Sequence, residues 1–267
     1  MQFSLNHMVA PKLDYAAFFD LALRLGVNAV EIRNDIPTAL MGNKNAKMIG
    51  KLAKDKGITI LNVNALQRWN RWNKARADEA SKLAEYAALT GAKALVLCPT
   101  NDKKFQPETE ERLMGLRIAL DGLKGILKAH GLMGCIEPLG FAECSLRLKA
   151  EAVAAIDDVG GASRFKLTHD TFHHFVAGET EIFPQRTALI HVSGVIDGKH
   201  DATTMRDPQR VLVDAGDIID NKGQVRKMFA AGYKGHVSFE PFAAQVHKSR
   251  QIARDVARSM EVLEAAL

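Results

Sequence analysis

ERLMGLRIALDGLKGILKAHGLMGCIEP, residues 111–138, sets an amphipathic helix, a glycine and a short apolar run in immediate succession. The helix stops at Gly131, a residue type that takes up the left-handed backbone just past a helix without a Cβ penalty. The run that follows, LMGCIEP, has the length of a strand and ends on a carboxylate, Glu137.

The same unit recurs on both sides. LDYAAFFDLALRL runs to Gly26 and NAVEIR, MIGKLAKDK to Gly57 and ITILNVN, and DEASKLAEYAALT to Gly91 and KALVLCP. Further on, Gly160 precedes RFKLTHD and Gly232 precedes GHVSFEP. Apolar residues in the helices fall three and four apart, as in Phe18, Leu21 and Leu25. The strands are rich in Val, Ile and Leu, as expected when both faces of a sheet are covered. QFSLNHMV and ALIHVSG bring the count to eight. Eight strand–helix units in 267 residues argue for a single (β/α)8 TIM barrel over residues 1–267.

Composition fits this. At 47% hydrophobic and 25% charged residues the chain can bury a large core under a polar surface. Its longest apolar runs are strand-sized, which argues against a membrane span. MQFSLNHMVAPK lacks the basic start and long apolar stretch of a signal peptide. Cys98, Cys135 and Cys144 are too few and too irregular for a disulfide framework, so a reducing cytoplasm is the default location. The net charge of +5 is spread along helices rather than blocked, apart from short groups such as Arg68, Arg71, Lys74 and Arg76. That pattern reads as solvated helix faces rather than a nucleic-acid surface, and it leaves room for steering of an anionic substrate.

Four strands of the second half end on residues that bind metals: CIEPLG on Glu137, FKLTHD on Asp170, LIHVSG on His191 and HVSFEPF on Glu240. Strand C-terminal ends of a barrel converge on one face, where the chemistry sits. Singly, each residue also reads as a structural acid, a loop cap or a hydrogen-bonded core histidine. Together, three carboxylates and an imidazole form an oxygen-rich set suited to one divalent metal ion: Mn²⁺, Mg²⁺, Co²⁺ or Zn²⁺. Two long connections follow strands on the same face. One runs from Asn64 to about Lys74 with Gln67, Trp69 and Trp72; the other runs from Gly194 to about Asn221 with His200, Arg206 and Arg210.

IEPLGFAE, LTHDTFHH, LIHVSG and DAGDIIDNKGQVRKMFAAGYKGHVSFEPF resemble the xylose isomerase-like barrel superfamily of sugar-phosphate isomerases and epimerases. Within it they resemble the inosose (2-keto-myo-inositol) isomerases, as does the N-terminal LNHMVAPKLDYAAFFDLALRLGVNAVEIRND. The resemblance implies that Glu137, Asp170, His191 and Glu240 are metal ligands. It also implies that Glu137 and Glu240 exchange the substrate proton, and that His173 and Glu143 contact the substrate. Arg206 and Arg210 are substrate-binding candidates by location, and Arg33 is one as a residue ending its strand. Homo-oligomers are common in such a family.

The implied reaction moves the carbonyl of a keto-polyol or sugar by proton transfer through an enediol. Ketose 3-epimerase, hydroxypyruvate isomerase and a lyase of the C-glycoside deglycosidase type begin with the same proton removal, and they stand as alternatives. A DNA-repair endonuclease would need extra histidines at early strand ends, where NVN and CPTND supply none. A catalytically dead binding barrel is the remaining non-enzyme reading.

Lesser candidates come from the first half. Asn6, His7, Glu31, Asn62 and Asn64 sit at strand ends and could bind hydroxyls, or point toward the helices. Trp69 and Trp72 could stack on a sugar or anchor their loop. Cys98 reads as a packed thiol rather than a nucleophile. His169 and His174 have no assigned role; His200, His236 and His247 read as surface or loop histidines.

Overall fold

The computed structural model describes residues 1–265. Eight parallel strands close into a barrel in chain order: β1 (Gln2–Asn6), β2 (Ala29–Arg33), β3 (Thr59–Gln67), β4 (Ala94–Cys98), β5 (Met133–Ile136), β6 (Phe165–Asp170), β7 (Thr187–Val192) and β8 (His236–Phe239). β8 closes the ring against β1 with Gln2 opposite His236 and Leu5 opposite Phe239. The helices between them are α1 (Tyr15–Arg24), α2 (Asn43–Asp55), α3 (Lys74–Thr90), α4 (Thr109–Ala129), α5 (Lys149–Asp158), α6 (Thr171–Ala177) and α7 (Asn221–Ala230), followed by α8 (Ala244–His247) and α9 (Ile252–Glu264). Among the described residues no helix is long and apolar enough to cross a membrane. The expected single (β/α)8 architecture is therefore what forms.

The repeat unit behaves as its chemistry dictates. Gly131 closes α4 at φ +68, and Gly26, Gly57, Gly91, Gly160 and Gly232 take the same left-handed sense after their helices. The strands are buried on both faces: β2 and β4 have no exposed residue. Leu116, Leu120, Leu123 and Leu127 of α4 turn one fully buried face to the sheet, against Leu97, Leu132 and Ile136 in the same core.

One boundary differs from the sequence reading. β3 runs to Gln67 instead of ending at Asn64, because Leu66 and Gln67 pair with Leu97 and Cys98 of β4. α3 begins at Lys74, since the Asn73 side chain caps it by accepting from the Arg76 N–H at 2.9 Å. The first long connection thus shrinks to a short turn. Trp69 is fully buried in it, and the Trp72 indole lies where α4 leaves a glycine, Gly122. Both tryptophans are loop anchors, and neither lines the cavity described below.

Candidate metal centre

The C-terminal rim brings the four second-half residues together. Ligand atoms of Glu137, Asp170, His191 and Glu240 all lie within 4.8 Å of one another, and all four residues are buried. His191 Nδ1 faces Glu137 Oε1 at 2.7 Å, Glu240 Oε2 at 3.2 Å and Asp170 Oδ2 at 4.0 Å. Ligands about 2.0–2.2 Å from a shared ion stand about 3 Å apart when adjacent and about 4.4 Å when opposite. The donor set and its spacing therefore fit one divalent cation with only small inward shifts.

Asp170 reconciles its two readings by dividing its oxygens. Oδ1 caps α6 by accepting from the His173 N–H at 2.9 Å, and Oδ2 faces the centre, where it also accepts from Arg210 Nη2. Its neighbour His169 points the other way, toward Gln224 and the His174 ring. His174 in turn meets Lys149 at 2.7 Å, in a buried cluster with Glu179 that holds α5 and α6 together.

His191 is oriented from behind. Its Nε2 lies 3.0 Å from Glu31 Oε2, and Glu31 also accepts from Asn62 Nδ2 at 2.8 Å and from the Ser238 hydroxyl. A carboxylate on the distal nitrogen fixes the tautomer and leaves Nδ1 as the free ligand, a recurrent arrangement behind metal-binding histidines. Without a cation, burial opposes a charge on this ring. Glu31, Glu240 and Glu137 outweigh that and hold its pKa well above the usual value.

Glu240 is gripped on both oxygens. Oε1 accepts from Arg33 Nη1 at 2.6 Å, Asn6 Nδ2 at 3.1 Å and Asn64 Nδ2 at 3.3 Å. Oε2 meets Arg210 Nη2 at 3.1 Å as well as His191. Burial alone would push its carboxyl up, but His191, Arg210 and Arg33 hold it well below the usual carboxylate range. Glu137 is less encumbered. Its Oε2 has the Cys98 thiol at 3.5 Å, and burial first, then Glu137 and Glu240, push that thiol's pKa well up, so it stays a neutral packed group.

Above the cluster opens a cavity of about 610 Å³, lined among others by Arg33, Asn64, Glu137, His173, Arg210 and Glu240. His173 Nδ1 accepts from the Gly140 N–H at 3.2 Å, which puts the ring proton on Nε2. Gly140 permits this approach because a Cβ there would stand 2.3 Å from the His173 carbonyl oxygen. Arg210 reaches in from the β7–α7 connection and bonds Asp170 Oδ2 at 2.6 Å, with its guanidinium 4.5 Å from the Phe242 ring centre.

Arg33, His173 and Arg210 line the cavity, the two arginines with their guanidinium groups bonded to Asp35, Asp170 and Glu240. Glu143 and Arg206 do not line the cavity: they face each other at 3.7 Å, and Arg206 lies over Phe141 with its Nη1 on the Thr203 and Met205 carbonyls. What the sequence reading missed is the orienting role of Glu31 and the donor role of Asn6 and Asn64. Alternation along β1–β3 was the available signal, and it placed these residues at strand ends without naming their partners.

The fold is shared with proteins of known structure. A crystal structure of a xylose isomerase domain-containing protein from Salmonella typhimurium LT2 is 31% identical, covers 98% of this chain and 97% of its own, and superposes with a TM-score of 0.89. The IolI protein with a bound zinc atom is 17% identical over 100% of this chain and 99% of its own, with a TM-score of 0.86. D-Psicose 3-epimerase from Clostridium cellulolyticum H10, solved with D-tagatose, is 15% identical over 100% and 99%, with a TM-score of 0.78. Curated protein sequences yield no match. Residues 19–266 match the xylose isomerase-like TIM barrel family, and the chain belongs to that family.

Proposed function

We propose that this protein is a divalent-metal-dependent isomerase that moves the carbonyl of a keto-polyol, an inosose being the leading candidate, by enediol proton transfer. One observation carries the reading. Four ligand atoms from the ends of β5–β8 lie within 4.8 Å of one another at the floor of a cavity large enough for a sugar. The relatives that bind zinc or carry an epimerase name support the same class.

A C–H beside a carbonyl is a poor acid until the charge developing on oxygen is stabilised. A divalent ion held by Glu137, Asp170, His191 and Glu240 would supply that stabilisation as a Lewis acid. The chain's own residues do the rest. Glu137, with one oxygen facing only a thiol, takes the proton from carbon. Glu240, held rigidly by Arg33 and Arg210, faces the substrate as the second carboxylate of the pair. His173 donates from Nε2 to a substrate oxygen, and Arg210 adds fixed positive charge at the same rim. A proton returned to the neighbouring carbon gives isomerisation; a proton returned to the same carbon from the opposite face gives epimerisation, the reading that the epimerase relatives keep open.

The test is solvent-deuterium exchange on metal-loaded protein, with inososes, free ketoses and hydroxypyruvate in parallel, alongside metal analysis. Exchange into an inosose with appearance of a shifted carbonyl is the expected result. Exchange confined to free ketoses, with inversion, reassigns the protein as an epimerase. No exchange with any of them sinks the reading.

A further inference from the structure

Four basic residues crowd the chain after β3, and the fold separates them. Arg71 turns away to lie 4.9 Å over the Phe105 ring, and Lys74 pairs with Asp78 at 3.0 Å on the outside of α3. Arg68 and Arg76 line the 610 Å³ cavity above the metal cluster.

The cavity's other two arginines are already committed. Arg33 is bidentate with Asp35, at 2.7 Å on both bonds, and also grips Glu240; Arg210 holds Asp170 and Glu240 and reaches Asp207 at 3.3 Å. These pairings also consume the lining acids Asp35 and Asp207. Arg68, by contrast, is exposed, and among the described residues its guanidinium enters no ion pair. Arg76 is paired only with Glu79, through Nη1, and its buried Nε has no hydrogen-bond partner. A buried N–H without an acceptor is unfavourable, so Arg76, which lines the cavity, still carries an unused donor.

Arg68 is also presented from a fixed position. Its backbone sits at φ +54, in the left-handed region that non-glycine residues seldom occupy. The residues that follow hold it there. Trp69 is fully buried, and the Asn70 side chain bonds Ser145 Oγ at 2.7 Å, the Thr100 N–H at 2.8 Å and Thr100 Oγ1 at 2.9 Å. A turn pinned by its neighbours fixes where the Arg68 side chain leaves the backbone, at the wall of the cavity it lines. The cavity volume also belongs to the range that houses ligands larger than a single polyol ring.

We propose that Arg68 and Arg76 form an oxyanion subsite at the cavity wall, so that the substrate is a keto-polyol bearing a phosphate or carboxylate remote from its carbonyl. Both groups match the planar fork of a guanidinium. The proposal deepens the isomerase reading and rests on it for the word substrate, but not for the binding of the anion.

The experiment is calorimetric titration of the full-length, metal-loaded protein with three matched probes: D-fructose, D-fructose 6-phosphate and 5-keto-D-gluconate. Wild type is expected to bind at least one charged probe roughly 10- to 100-fold more tightly than fructose. That margin should shrink as salt screens the exposed guanidinium. An advantage for the phosphate identifies a phosphate ester, and one for the keto acid identifies a sugar acid. In the Arg68→Ala/Arg76→Ala variant, with folding checked by its melting curve, the charged probes should lose roughly tenfold more affinity than fructose. Arg68→Lys should restore part of the margin. Equal binding of neutral and charged probes by wild type, or equal weakening of all three in the variant, overturns the subsite. Deuterium exchange with the same probes separates the two readings. A charge preference without exchange into these probes or into the inososes, ketoses and hydroxypyruvate tested above removes the isomerase and leaves the anion site standing.

Discussion

The two halves of the barrel meet the centre with opposite kinds of side chain. Strands β5–β8 deliver the four ligand atoms. Strands β1–β3 deliver no ligand; instead Asn6, Arg33 and Asn64 donate to Glu240, and Glu31, held by Asn62, orients His191. The second half groups the side chains that could hold a cation, and the first half fixes them in place. Glu31 and His191 stand 160 positions apart in the chain and 3.0 Å apart in space. The centre is therefore a property of the closed barrel, not of either half.

Removing the charge of one carboxylate at the centre while keeping its shape should have the greatest consequence. Glu240→Gln should lower turnover by roughly 10²–10⁴, the range for a positioned acid or base. Steady-state kinetics on the best exchanging substrate check it, and near-normal turnover would remove Glu240 from the mechanism. Arg33→Met attacks the same carboxylate from the first half. It removes one of the two buried arginines on Glu240 and the partner of Asp35, so the unfolding free energy should fall by about 1.5–3 kcal/mol, the range for a lost hydrogen bond to a charged group. Urea unfolding of the metal-free protein measures this. A change under 1 kcal/mol would mean that the first half does not hold the ligand.

Glu31→Gln sharpens the contrast further, because Glu31 touches a ligand without being one. Loss of an orienting carboxylate typically weakens metal binding by about 10–100-fold. Competition against a metal-chelating dye reads the affinity directly, independently of catalysis. Unchanged affinity would reduce Glu31 to a buried acid with ordinary hydrogen bonds.

The same division explains what the sequence disclosed. Glu137, Asp170 and Glu240 close strands that a helix and a glycine announce, and His191 lies at the end of an apolar run, so the four candidates could be picked out by position. Their supports could not. Alternation places Glu31 at a strand end, but only barrel closure shows that it meets His191 rather than a substrate hydroxyl. Arg210 sits in a connection with no periodicity, and its bond to Asp170 depends on how that segment folds back over the rim. Glu143 and Arg206 show the converse: proximity in sequence to a ligand or a loop did not bring them into the cavity. Trp69 was legible as an aromatic loop residue, yet its burial follows from β3 running on through Gln67.

The smallest expected effect concerns pH, and its sign differs between the two forms of the protein. In the metal-free fold the His191 pKa is raised well above its ordinary value of about 6.5. A raised folded-state pKa stabilises the fold fully below the unfolded value, and that contribution is lost as pH rises through the folded value. Metal-free protein should therefore lose melting temperature as pH climbs from about 6.5 upward. A cation at Nδ1 requires the neutral ring, so metal affinity should rise over the same interval as the displaced proton becomes easier to release. Melting curves of chelator-treated and metal-supplemented protein across that range should diverge, the first falling and the second holding. His191→Gln removes the titrating ring and should flatten the metal-free curve. Parallel curves for both forms of the wild type would mean that His191 does not sit between its carboxylates and a cation, and the division of labour between the two halves of the barrel would lose its centre.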